Sequence, residues 1–281
     1  MDLPAPFLAS RASAFVAVSN AACICPGFEL RQWRAERLAA HLVDWLPDFA
    51  IRHDDLPTEL RTTTDFRKLI EQAAQRIYST EKSETRGEVG ELLLHAMCRQ
   101  FSGTFPTVSK VYYKTSSNDV VKGFDLVHTR YDDATNDLEL WLGEAKFYTS
   151  GSAAVAEAIR SINGHLGAGF LTGEKMLLGG KISGDTPGYS RLEWLFDRDT
   201  PIDEIFNRLV IPVLIAYNSD SCASFVSDVT YDQSLKIEVE RLRASLANRI
   251  STDITLHCFY FPMATKKLLI DSFDKKLGAY L

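Results

Sequence analysis

The chain of 281 residues is 46% hydrophobic with a formal charge of −6, the balance of a soluble globular protein that buries one large core, or one core with an appended subdomain. The acidic excess argues against a stand-alone nucleic-acid binder, which exchanges a basic surface for counterions; contact with DNA would need a local patch or a partner. Five cysteines, Cys23, Cys25, Cys98, Cys222 and Cys258, are odd in number and lack a Cys-x-x-Cys pair, which argues against a four-ligand zinc site and for reduced thiols in a cytoplasm.

Residues 1–29 read as an irregular or strand-like lead-in, in which Cys23-Ile24-Cys25 would put both thiols on one side of a strand. Asp2 stands where a signal peptide begins basic and Arg11 interrupts the apolar run, so no signal peptide is expected. Between Leu30 and Leu46, Ala35, Leu38, Leu42, Trp45 and Leu46 recur at helical spacing up to Pro47, and Phe66 to Tyr78 reads as another helix. Both are covering helices for a sheet or a docking surface. Residues 1–80 are thus expected to form a helical and irregular covering region, with 81–281 as the main domain, the two separable or continuous.

Arg86-Gly87-Glu88-Val89-Gly90-Glu91-Leu92-Leu93-Leu94-His95 opens the next helix. Glu88, Glu91 and His95 fall within a stripe of about 60°, opposite a broad face of Val89, Leu93, Ala96, Met97 and Phe101. The stripe is either solvated or a source of one functional acid; His95 is expected at the helix surface or behind the metal ligands, not as a ligand itself. Lys110, Lys114 and Lys122, with Tyr112 and Tyr113 among them, are a candidate basic patch or an edge-strand face.

Chemistry concentrates in the next segment. Phe124 to Tyr131 and Leu138 to Phe147 are rich in β-branched, aromatic and long apolar residues, and Asp132 to Asp137 between them is turn chemistry. A hairpin symmetric about Ala134 and Thr135 sets Asp125 of Gly123-Phe124-Asp125 directly opposite Glu144 of Gly143-Glu144-Ala145-Lys146. Alternation puts Leu138, Leu140, Leu142, Glu144 and Lys146 on one face and Trp141, Ala145 and Phe147 on the other. Two opposed carboxylates repel, and a divalent cation would make the pairing tolerable. Oxygen-only donors favour Mg2+ or Mn2+. Lys146, one pleat along, could orient or help deprotonate an attacking water and stabilise charge on a phosphate.

Gly151-Ser152-Ala153 begins a helix with Ser152 at the expected cap and Val155, Ile159, Ile162 and Leu166 along one side. From Gly167 to Ser190 the glycine content predicts a long connection. Gly179-Gly180-Lys181 is no phosphate loop, since Lys175 stands where the first glycine belongs and Ile182 replaces Ser or Thr. Then follow a helix from Ile202, a buried strand Leu209 to Tyr217, a long helix Tyr231 to Ile250, a strand Ile254 to Phe261 and a closing helix Ala264 to Leu277. The fold class expected is α/β, a central mixed sheet flanked by helices. Neither Gly-x-Ser-x-Gly nor His-Glu-x-x-His occurs; His128 and His165, which flank the motif region, could act as acid or phosphate-contacting groups, but a lone histidine near apolar neighbours is usually structural.

The order Gly-Glu-Leu-Leu-Leu, Gly-Phe-Asp, Gly-Glu-Ala-Lys over roughly residues 86–166 resembles the PD-(D/E)xK nuclease superfamily, whose restriction-endonuclease-like core is a helix, a β-meander and a second helix. Within it the arrangement looks closest to the HamA family of Hachiman anti-phage defence. The resemblance implies a phosphodiester hydrolase with Asp125, Glu144, Lys146 and Glu91 or Glu88 as catalytic residues, and Asp125, Glu144 and Glu91 as ligands of Mg2+ or Mn2+. It further implies a DNase of little sequence preference, restrained by a HamB-like superfamily 2 helicase. The alternatives are a non-catalytic regulatory subunit of a defence or repair complex and a stand-alone restriction endonuclease.

Overall fold

Leu209–Asn218 is apolar at nearly every position and lies buried on both sides, as a central strand of a parallel arrangement must. The computed structural model describes residues 3–11, 21–57, 59, 62–78, 87–109, 123–132, 137–247, 249 and 254–281. The candidate basic patch of Lys110, Tyr112, Tyr113, Lys114 and Lys122, the turn residues 133–136, Arg86 and the boundary at 80/81 lie outside the described residues.

The strands are β1 (Ala9–Ser10), β2 (Ala21–Cys25), β3 (Phe28–Glu29), β4 (Gln32–Trp33), β5 (Phe105–Val108), β6 (Leu126–Asp132), β7 (Asp137–Phe147), β8 (Leu209–Asn218) and β9 (Thr255–Met263). Seven of them form a mixed sheet in the order β1-β2-β9-β8-β7-β6-β5, and β3 pairs with β4 in a separate ribbon. Strands β2, β9, β8 and β7 run parallel, and β1, β6 and β5 are antiparallel to their neighbours. The protein is therefore α/β with a mixed central sheet flanked by helices, and strands from the first thirty residues complete it.

The helices are α1 (Ala35–Asp44), α2 (Leu46–Ala50), α3 (Thr63–Tyr78), α4 (Gly87–Ser102), α5 (Gly151–His165), α6 (Ala168–Gly179), α7 (Tyr189–Phe196), α8 (Ile202–Phe206), α9 (Asp220–Ala223), α10 (Asp228–Ala247) and α11 (Lys266–Leu277). Pro47 does not simply end the first helix; it sits in the first turn of α2, where its missing N–H costs nothing. The expected long connection after residue 167 is instead helical through α6 and α7. Its glycines sit inside a largely apolar segment whose burial outweighs their helix penalty of about 1 kcal/mol each.

Two helices sandwich β7. On one face α4 rests so close that a Cβ at Gly90 would lie 2.7 Å from Phe147 Cβ, which is why glycine occupies that turn. A Cβ at Gly143 would lie 2.9 Å from Leu94, 3.0 Å from Leu126 and 3.1 Å from Pro212. The glycine of Gly-Glu-Ala-Lys thus makes room for the proline ring of the neighbouring strand. On the other face α5 and α10 pack together, and Leu242 and Tyr217 crowd Gly151.

A buried polar chain fixes α4. Arg99 Nε donates to Asp48 at 2.8 Å and His95 Nε2 lies 2.9 Å from the same carboxylate. His95 Nδ1 meets His128 Nε2 at 3.1 Å, and His128 Nδ1 meets Thr104 Oγ1 at 2.8 Å. Two neutral imidazoles satisfy every link, with His95 donating to Asp48, His128 to His95 and Thr104 to His128. His95 is 2% exposed, so the helix-surface placement is overturned. Its partner Asp48 comes from α2, far away in sequence. Phe101, expected on the apolar face, is partly exposed.

Candidate active site on the hairpin

The β6–β7 hairpin pairs Leu126 with Gly143, Val127 with Leu142, and so on without a slip to Asp132 with Asp137. Turn chemistry at the tip and alternating apolar residues on both strands leave no other register that keeps one face buried. Asp125 lies at a bend just before the paired residues begin. Its N–H donates to Gly143 O at 2.8 Å, and its carboxylate accepts from Ala145 N at 3.0 Å. Asp125 thus bonds to the residues on either side of Glu144. A Cβ at Gly123 would meet the carboxylate of Glu174 on α6, the far end of a flexible side chain.

Glu144 and Lys146 share the face covered by α5. Lys146 Nζ donates to Glu144 Oε2 at 2.7 Å and to Ser161 Oγ at 2.9 Å. His165 Nδ1 lies 2.7 Å from Glu144 Oε1, although the ring N–H is not aimed for an in-line hydrogen bond. The His165 ring is stacked on Phe170 at 4.4 Å and edged by Phe124 at 4.7 Å. Both side chains of the Glu-x-Lys pair are buried, the carboxylate 3% and the ammonium 10% exposed. Burial pushes the Glu144 carboxyl up, but His165 and Lys146 more than offset this and hold it below the usual range. Burial lowers Lys146, and Glu144, followed by Asp125 and Glu157, more than restores it, so the amine stays an ammonium.

The upstream acids are placed differently. Glu88 and Glu91 are both half-buried on α4, the helix packed over the face of β7 that carries Gly143, Ala145 and Phe147, opposite to Glu144 and Lys146. Among the described residues, no group of three or more His, Cys, Asp or Glu side chains is placed to hold a metal ion. Asp125 and Glu144 are a two-carboxylate, oxygen-only donor set, which suits Mg2+ or Mn2+ with waters completing the shell.

Residues 12–277, nearly the whole chain, match the family described as HamA. The chain belongs to the HamA family. That membership makes it a component of the Hachiman defence system. No curated protein matches the chain at a significant level. No helix among the described residues is long and apolar enough to cross a membrane.

In this HamA family chain, α5 supplies what motif reading overlooked. Glu157, Ser161 and His165 recur every four residues and so form one polar stripe along the helix. Ser161 and His165 reach the Glu-x-Lys pair and Glu157 acts on Lys146 through its charge. The signal was present in the spacing, opposite the apolar stripe of Val155, Ile159 and Ile162. The helix is capped by Ser150, whose Oγ accepts from Ala153 N at 3.3 Å, and not by Ser152; the segment turns into the helix one residue before Gly151.

Proposed function

We propose that this chain is the nuclease of its defence system, a metal-dependent DNase of the PD-(D/E)xK type that hydrolyses phosphodiester bonds with little sequence preference. The observation that carries the reading is Asp125 bonded to the residues flanking Glu144, with a buried ammonium, Lys146, bonded to the Glu144 carboxylate. Asp125 and Glu144 would hold Mg2+ or Mn2+, which supplies Lewis-acid polarisation of the phosphate and a more acidic bound water. The upstream acids proposed to complete the ligand set are Glu91 or Glu88, both half-buried on α4.

Lys146, kept as an ammonium by its carboxylate neighbours, acts as a charge stabiliser for the phosphate oxygens and an orienting donor for the attacking water, not as a base. Ser161 fixes the direction of its Nζ. His165, clamped by Phe124 and Phe170, steadies the Glu144 carboxylate. The acidic net charge of −6 supports a partner that brings the DNA, for which a HamB-like superfamily 2 helicase is the proposal.

A Mg2+-dependent cleavage assay on plasmid and linear DNA tests the reading. Glu144→Ala and Lys146→Ala are each expected to abolish cleavage; full activity in either variant rejects the assignment. Co-purification from the native host tests the partner, with a helicase expected alongside the chain.

A further inference from the structure

Cys25 ends β2 and Cys222 lies in α9, and their sulfurs converge on one hydroxyl. Tyr231 Oη donates to Cys25 Sγ at 3.4 Å, and Cys222 Sγ lies 3.4 Å from the same oxygen. Gly27 N–H donates to Cys25 Sγ at 3.3 Å, and the Arg11 guanidinium, set 5.5 Å over the Tyr231 ring, adds a positive charge nearby.

These donors make the two sulfurs unequal. The Cys222 thiol most of all, then Tyr231 and Gly27, hold Cys25 down at about 7 against its burial, while burial pushes Cys222 up. One sulfur is thus readied as a thiolate and the other kept as a thiol. Cys222 also lines a groove of about 850 Å³ shared with Trp33, Arg34, Ala223 and Leu268, so a small oxidant that enters it has only the Cys222 side of the pair to pass to reach fully buried Cys25. Cys23 shares the strand face with Cys25, but a strand's two-residue pitch of about 6.5 Å, with side chains side by side, does not suit a disulfide. Burial also pushes its thiol well up.

We propose that Cys25 and Cys222 are a redox-responsive pair that closes to an intramolecular disulfide on exposure to a peroxide. The Cys25 thiolate attacks one peroxide oxygen; the O–O bond breaks, leaving Cys25 sulfenic acid and, after proton uptake, water or an alcohol. The Cys222 sulfur then displaces the sulfenic hydroxyl. An S–S bond forms, the S–O bond breaks, and the thiol proton leaves with the hydroxyl as water. Two thiols are oxidised by two electrons and the peroxide is reduced. The bond would fasten β2 to α9 beside the β3–β4 ribbon, whose Phe28 stacks on Phe225 at 3.6 Å.

The test is peptide mapping of the full chain after hydrogen peroxide, alkylation and non-reducing digestion. The expected result is one linked peptide pair, Cys25 with Cys222, lost on adding dithiothreitol, with Cys23, Cys98 and Cys258 still alkylated after denaturation. Cys222→Ser should abolish the link and drive Cys25 on to the sulfinic acid, whereas Cys23→Ser should leave the link in place. Recovery of all thiols reduced from the unsubstituted chain, or linkage through any other cysteine, overturns the proposal without relying on a variant that folds.

Discussion

Asp125 is tied to the strand of Glu144 at two points, through its own N–H to Gly143 O and through its carboxylate to Ala145 N. The second bond needs only an acceptor, so Asp125→Asn can keep it and Asp125→Ala cannot. If the carboxylate charge serves the cleavage step, Asp125→Asn should lose at least about 100-fold in rate with an unchanged melting temperature. A variant that retains its rate would show the aspartate to be a hairpin clasp alone.

Glu144 and Lys146 should be more costly to separate than to remove together. Glu144→Ala leaves a buried ammonium without its carboxylate, a loss on the order of 3 kcal/mol. Glu144→Ala combined with Lys146→Met removes the stranded charge and should recover most of that. Urea unfolding of the single and double variants measures the difference; equal destabilisation in both would mean the ion pair is not what holds the two strand positions.

Stability should fall as the solution is acidified through the histidine range. Burial depresses His95 and, further, His128, and it holds His41 at about 4. The sign follows from proton uptake. The unfolded imidazoles gain protons below about pH 6.5 while the folded ones refuse them, so the unfolded chain is favoured as pH drops. Each such histidine contributes a slope of about 1.4 kcal/mol per pH unit between its unfolded and folded values. Burial pushes Asp48 up, but His95 and Arg99 overcome this and hold it far below the usual range, so its stabilisation is lost only at more acid pH. Chemical denaturation between pH 7 and 5 should show the decline, and His128→Gln should flatten it.

Gly90 should tolerate no side chain. Its Cβ would press on Phe147, so Gly90→Ala should force α4 off β7 and cost about 1–3 kcal/mol, despite the better helix propensity of alanine. Differential scanning calorimetry gives the result; a stabilised Gly90→Ala would mean that α4 moves without penalty.

The hairpin was legible because local signals agreed: a polar turn, alternating strands and a symmetric tip fix the pairing of residues near in sequence. The neighbouring helix was less so. Ser161 and His165 carry a readable period, yet nothing local says that their stripe faces Glu144 and not solvent. The burial of His95 was not legible because it depends on Asp48 and Arg99, a pairing that no window of sequence contains. Helix α6 was masked by its glycines, whose unfavourable propensity is overridden by tertiary burial, as for Leu171 and Leu178. The glycine of Gly-Glu-Ala-Lys looks like a motif residue, but Leu94, Leu126 and Pro212 explain it by space.

The described sheet also has a social consequence at its two borders. Strand β1 is only two residues long, and β5 carries Pro106, with no amide hydrogen, next to a register shift before Val108. Neither offers a straight row of backbone donors and acceptors onto which a second copy could zip. Crowding many copies together should therefore not, by this route, turn the protein into fibres.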